Sequence, residues 1–269
     1  MTVVASSHAL AQEISNIEQP HGDVVALAER AEPPRWDASV EAVWLPASSI
    51  HGTGGNLTME EVRVGFGRRF MITPRLGLST GLRYSLQNID APDSALLPGS
   101  LQALSVSLGG EYRTTDHLTL GISISPGLSS DFKAITASDV RVPVAFNARY
   151  QMSKKLTFLG GIAYTGGNHA FPVLPIMGVL YMPSERWAFA LGIPRTGVIF
   201  KPREDVEFHL GAESGGGEYR LHDASIGANI ISYRDFRGVG GVDVSLLSFV
   251  KVGVSGGYSF ARKFVFYEG

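Results

Sequence analysis

Apolar and small or polar residues alternate along most of this chain. Leu76, Leu78, Thr80, Leu82, Tyr84 and Leu86 are interleaved with Gly77, Ser79, Gly81, Arg83 and Ser85. The same pattern returns at Leu104, Val106, Leu108, Gly110 and Tyr112, set against Ser105, Ser107, Gly109, Glu111 and Arg113. It recurs at Leu118, Leu120, Ile122 and Ile124, against Thr119, Gly121, Ser123 and Ser125. A period of two residues is the signature of a strand with unlike faces. Further segments begin at Trp36, Val62, Val142, Leu156, Trp187, Val206, Ala224, Val242 and Val250. Strands of roughly ten residues with one apolar face, repeated this often, predict an all-β fold: a transmembrane antiparallel up-and-down β-barrel of about 12–14 strands, apolar outside and polar inside.

The connections alternate in length. Short turns are predicted at Thr73-Pro74, Thr115-Asp116, Ser153-Lys154, residues 183–185, residues 202–205 and Arg234-Asp235. Longer polar or glycine-rich segments lie at 47–56, 88–100, 127–139 and 166–172. Short turns on the periplasmic side and long loops outside are the arrangement of outer-membrane barrels. An even strand number would place both termini at the short-turn side. Residues 186–201 fit two short strands meeting at Pro194, whereas 172–182, apolar on both faces, follow neither pattern.

Residues 1–11 read as the tail of a secretory signal whose beginning is not in this sequence, with Ala9-Leu10-Ala11 as the small-x-small cleavage site. Residues 12–35, charged and with Pro33-Pro34, read as a flexible periplasmic arm, and 36–269 as the barrel. This organisation predicts a bacterial outer-membrane location in a Gram-negative-type envelope.

Composition narrows the function. The 23 basic and 25 acidic side chains leave no basic field for nucleic acid. With no cysteine, thiol catalysis, cysteine-ligated metal and disulfides are excluded. No run approaches the ~18 consecutive apolar residues of a membrane-spanning helix. The 7 histidines show no zinc-site spacing, so neither metal nor cofactor is expected.

If the apolar faces point outward, Arg83, Glu111, Arg113, Arg149, Glu207, His209, Glu213, Asp243 and Lys251 point into the lumen, with Asn147 beside them. Such a set lines a pore that selects small polar solutes by charge, or fills a closed barrel with ion pairs. Pattern alone leaves both open. His209, on one strand face with Glu207 and Glu213, also has the makings of a general base in a lipid-directed hydrolase, but no sequence signature marks a partner serine. The triplet Gly215-Gly216-Gly217 and the run Gly238-x-Gly240-Gly241 lack the lysine and following helix of a phosphate loop and read as a loop and a bend. Tyr84, Tyr112, Tyr150, Tyr164 and Tyr258 share the outward face and suit lipid headgroups, making outer-membrane lipid the expected partner. Oligomeric state is not legible.

Trp187 with its alternating run to Gly192-Ile193-Pro194, the segment Gly217-Glu218-Tyr219-Arg220-Leu221, and the ending Gly256-Gly257-Tyr258-Ser259-Phe260 with Phe264 and Phe266 carry a family likeness. Through them the chain resembles the uncharacterised bacterial outer-membrane β-barrel families over most of residues 36–267. The resemblance implies a fold and a location. It carries no activity, but mixed charge together with small residues such as Gly77, Gly81, Ser107 and Gly109 on the inward face of a barrel of about 12–14 strands makes a passive channel or small-solute transporter the expected function, with a plugged barrel that displays its loops as the alternative. Tyr267-Glu268-Gly269 follow Phe266, where the usual barrel ending has a terminal aromatic.

Overall fold

The structure is a computed structural model that describes residues 2–6, 36–50, 55–169, 171–193, 195–247 and 250–268. Its strands are β1 (Thr2–Ser6), β2 (Trp36–Ser49), β3 (Asn56–Thr73), β4 (Leu76–Asp90), β5 (Ser100–Arg113), β6 (Leu118–Ile124), β7 (Gly127–Ser130) and β8 (Val140–Arg141). These are followed by β9 (Val144–Gln151), β10 (Leu156–Tyr164), β11 (Val173–Ser184), β12 (Trp187–Ile193), β13 (Arg195–Arg203), β14 (Val206–Arg220), β15 (Ile230–Leu247) and β16 (Val250–Tyr267). All belong to one sheet, in which every pairing is antiparallel except the parallel contact of β14 with β7. The pairing of β13 with β14 joins its two halves and closes the barrel. Of the expected signal remnant, residues 2–6 form β1 between β2 and β16. Residues 7–35, which include the expected cleavage site and arm, lie outside the described residues.

Alternation forms the wall because side chains of a strand point to opposite faces. Val64, Phe66, Leu82, Val106, Leu108, Ile122, Phe146 and Ile162 are exposed on the outer surface. Glu41, Glu61, Arg63, Ser85, Gln87, Glu207 and Asp243 are buried inside. Of residues 172–182, which followed neither pattern, all but the first lie in β11. The two short strands expected around Pro194 are β12 and β13, with Pro194 itself outside the described residues.

Two strands are interrupted by proline without losing register. Ile124 faces Leu108 and Gly127 faces Ser105, so β6 and β7 form one interrupted strand along β5. β8 and β9 continue one another beside it in the same way. Proline supplies no N–H, but its carbonyl still serves the ladder: Val106 donates to Pro126 and Ser125 to Pro143, each at 2.9 Å. The expected loop 127–139 is thus strand over its first four residues.

Two expectations need correction near the carboxyl end. Arg234-Asp235 is no turn; it lies within the unbroken β15. Ala224–Ile226 is a 3-10 turn capped by Asp223, not a strand. One crossing is lost, so β16 ends at Tyr267 on the long-loop rim, beside Ile230, whereas β2 starts at the short-turn rim. The two ends of the wall therefore lie at opposite rims.

Candidate functional site

The lumen changes character along its length. Nearest the short-turn rim, β5, β6 and β9 bring Arg113, Thr119 and Arg149 into one row, because Thr119 is the register partner of both arginines. Both arginines are half-buried, and neither forms an ion pair among the described residues. Elsewhere on the inward face, Arg69 holds Glu111 at 2.7 Å, Lys201 holds Glu207 at 3.1 Å, and His209 Nδ1 lies 3.4 Å from Asp243. Glycine, serine and alanine line much of the wall between these groups.

At mid-height, Arg63 bridges two strands. Its Nη1 donates to Glu41 at 3.1 Å and its Nε to Glu61 at 2.7 Å, and Gln87 donates to the same Glu61 oxygen at 3.2 Å. All four side chains are buried. Buried charge survives only where it is paired and hydrogen-bonded, and here one guanidinium answers two carboxylates.

Towards the long-loop rim the inward face becomes apolar. Leu57, Met59, Ile89 and Leu101 from β3, β4 and β5 pack with Tyr219, Leu221, Ile231 and Tyr233 from the β14–β15 side. Residues from separate parts of the wall can meet only if some strand leaves the wall. β14 parts from β13 after Glu213 and turns at Gly215-Gly216-Gly217, read from sequence as a loop but part of the strand, while staying laddered to β15 as far as Arg220. Gly216 has φ +122°, and a Cβ there would run into the Tyr233 carbonyl. Beyond this bend both faces of β14 are buried: Tyr219 enters the apolar cluster, and Glu218 faces Arg141 on β8 at 2.6 Å. Arg220 becomes the register partner of Ser130 on β7.

Loop groups fasten the closure. His169 donates its backbone N–H to Glu218 at 2.9 Å, and its ring lies 3.0 Å from the same carboxylate and stacks on Tyr267. His222 Nε2 meets Asp139 at 2.9 Å, while Asp131 accepts the backbone N–H of His222 at 2.9 Å. Lys133 pairs with Asp223. Lys133 and Ser225 together pull the Asp223 carboxyl down to about 2.

Under this rim lies a cavity of about 50 Å³, lined in part by Arg83, Ser105, Ser125 and Arg141.

Of the residues expected to line the lumen, Arg83, Glu111, Arg113, Arg149, Glu207, His209 and Asp243 have described side chains, and those of Glu213 and Lys251 lie outside the described residues. They do not form a single cluster. Glu207 is taken by Lys201, so the carboxylate beside His209 is Asp243, across the β14–β15 pair. Among the described residues no serine hydroxyl hydrogen-bonds His209. Sequence reasoning missed Glu41, Glu61 and Arg63, although they alternate with Val40, Ala42, Val62 and Val64 as the face rule requires. It also missed Arg141 and Glu218, which lie past Gly216 or beside Pro143, where no periodicity announces them.

No curated protein matches the chain in sequence. Among solved structures, the chain is similar to the toluene transporter TodX of Pseudomonas putida, at 10% identity and TM-score 0.38, over 86% of this chain and 80% of that one. It is also similar to the toluene transporter TbuX of Ralstonia pickettii, at 12% identity and TM-score 0.37, over 97% of this chain and 88% of that one. These scores mark a coarse likeness of chain path. The match to a family model spans residues 58–269, and by it the chain belongs to the family described as Domain of unknown function (DUF6268).

Proposed function

We propose that this protein is an outer-membrane β-barrel that admits small polar solutes to its lumen from the short-turn end and is closed at rest by its long-loop rim. Its apolar outer surface supports the location. An apolar surface of this extent on a water-exposed monomer would drive association, whereas it matches the hydrocarbon layer of a bilayer. Aromatic and basic groups edge it as headgroup anchors do: Arg68 lies 4.4 Å over the Trp36 ring, and Trp187 packs 4.5 Å from Phe200.

One observation carries the functional reading: the lumen is polar, small-residue-lined and arginine-bearing towards one rim, and sealed by apolar packing and ion pairs at the other. A steadily open pore has no use for such a seal. A gated one does. The second reading, a plugged barrel that displays its loops, draws on the same apolar cluster.

Planar-bilayer recording separates the two. The wild-type protein is expected to be nearly silent, and the double variant Glu218→Gln with Asp139→Asn to show conductance steps as the rim loosens. Arg149→Glu in that background should shift ion preference towards cations, as rings of charge do in channels. Folded variants that remain silent would transfer the assignment to the plugged barrel.

A further inference from the structure

The cavity under the rim contains a guanidinium with more donors than partners. Arg141 is buried, at 6% exposure, and only its Nη2 is engaged, with Glu218 at 2.6 Å. Its Nε and Nη1 are both buried without a hydrogen-bond partner among the described residues. Glu218 does not serve them: it accepts from Arg141 Nη2 alone and from the backbone of His169, with the His169 ring alongside. A buried N–H of a charged group left without a partner is costly, so the free edge of Arg141 calls for an acceptor.

The remaining wall suits an anion. Arg83 adds a second guanidinium, and Ser105 and Ser125 add hydroxyls able to donate. Ser129 is occupied, its hydroxyl donating to the Glu218 carbonyl at 2.8 Å. A volume of about 50 Å³ holds roughly four water-sized atoms, taking about 10–15 Å³ for each. Four oxygens about one centre is the shape of a tetrahedral oxyanion, and planar N–H pairs of arginine are the usual partners of such oxygens.

We propose that this cavity is a binding site for one small tetrahedral oxyanion of the phosphate or sulfate class, held by the free edge of Arg141 together with Arg83, Ser105 and Ser125. The site does not depend on conduction, since it requires only access from the lumen. The free ion and a phosphorylated headgroup share this chemistry, and lipid-free conditions isolate the free ion.

Equilibrium dialysis of the folded full-length barrel, in a non-ionic detergent free of lipid and phosphate, against radiolabelled inorganic phosphate is the test. Saturable binding of about one ion per chain, competed by sulfate, is expected. Arg141→Lys keeps a positive charge for Glu218 but removes the free guanidinium edge, and should weaken binding roughly tenfold or more. Ser125→Leu fills the cavity while leaving Arg141 in place, and should do the same if Arg141→Lys does not fold. No saturable binding to the wild-type protein would show that only water satisfies Arg141 and would overturn the proposal. Unchanged affinity in either folded variant would overturn it too.

Discussion

Leu101→Ala tests whether the long-loop rim is a packed core. Leu101 has no solvent exposure and sits among Met59, Ile89, Tyr219, Ile231 and Tyr233. The substitution removes three carbons, worth about 0.8 kcal/mol each in transfer, or about 2.4 kcal/mol. Partial collapse of the space left behind adds a cavity term, which brings the expected loss to about 3–4 kcal/mol. Leu104→Ala, three positions along the same strand, is the control. Leu104 faces outward and is 37% exposed, so its truncation opens no internal cavity and should cost well under half as much. Urea unfolding in lipid vesicles, followed by the fluorescence of the 3 tryptophans, reads both values as midpoint shifts at constant slope. A loss below about 1 kcal/mol for Leu101→Ala, or equal losses for the two variants, would refute the packed seal and with it the closed rim.

Two further outcomes follow from the same geometry. Ile122 on the wall and Leu96 in the loop after β4 are almost equally exposed, at 57% and 56%, yet only Ile122 lies on the outer face assigned to lipid. Ile122→Arg should cost roughly 2–4 kcal/mol of bilayer stability near the midplane and Leu96→Arg close to nothing; equal costs in reversible unfolding would mean that the outer face does not meet hydrocarbon. The Asp223 carboxyl should remain ionised until pH falls to about 2. Because this folded value is depressed, its contribution is present above the ordinary carboxylate value and disappears as pH falls through the folded one. Lys133→Ala should return the carboxyl towards 3.8, as read by carboxyl-carbon NMR titration; an unchanged titration would dissolve the proposed pairing.

The wall was legible in the sequence because its physics is periodic. A strand between two unlike surfaces must alternate, so Leu82 outside and Arg83 inside follow from spacing alone. So did most turns, since Thr73-Pro74 and Ser153-Lys154 carry their own turn chemistry. The long-loop end was not legible, because there the period breaks for tertiary reasons. Ile89, Leu101 and Met59 point inward like the polar residues before them, and only the arrival of β14 makes an apolar interior favourable. Nothing local to Glu218 announces that both faces of its strand are buried. Arg234-Asp235 shows the opposite failure: a polar pair read as a turn is instead a stretch of strand. Its Asp235 is buried beside Arg237 and Ser259.

These failures share one cause, which bears on function. Sequence reports the environment of a residue only when that environment repeats, and a barrel wall repeats whereas a closure does not. On the gated reading proposed above, the groups that hold the rim shut are Gly216, which bends β14, and Arg141 and Glu218, which join β14 to β8. None belongs to the alternating pattern that revealed the fold. On the same reading, the residues that pattern did supply, Arg113 and Arg149 foremost, set which charge enters from the short-turn rim. The proposed function thus assigns selectivity and closure to different residues at opposite ends of one lumen, so a substitution at Arg149 should alter which ions enter without loosening the rim, and a substitution at Glu218 should loosen the rim without altering which ions are preferred.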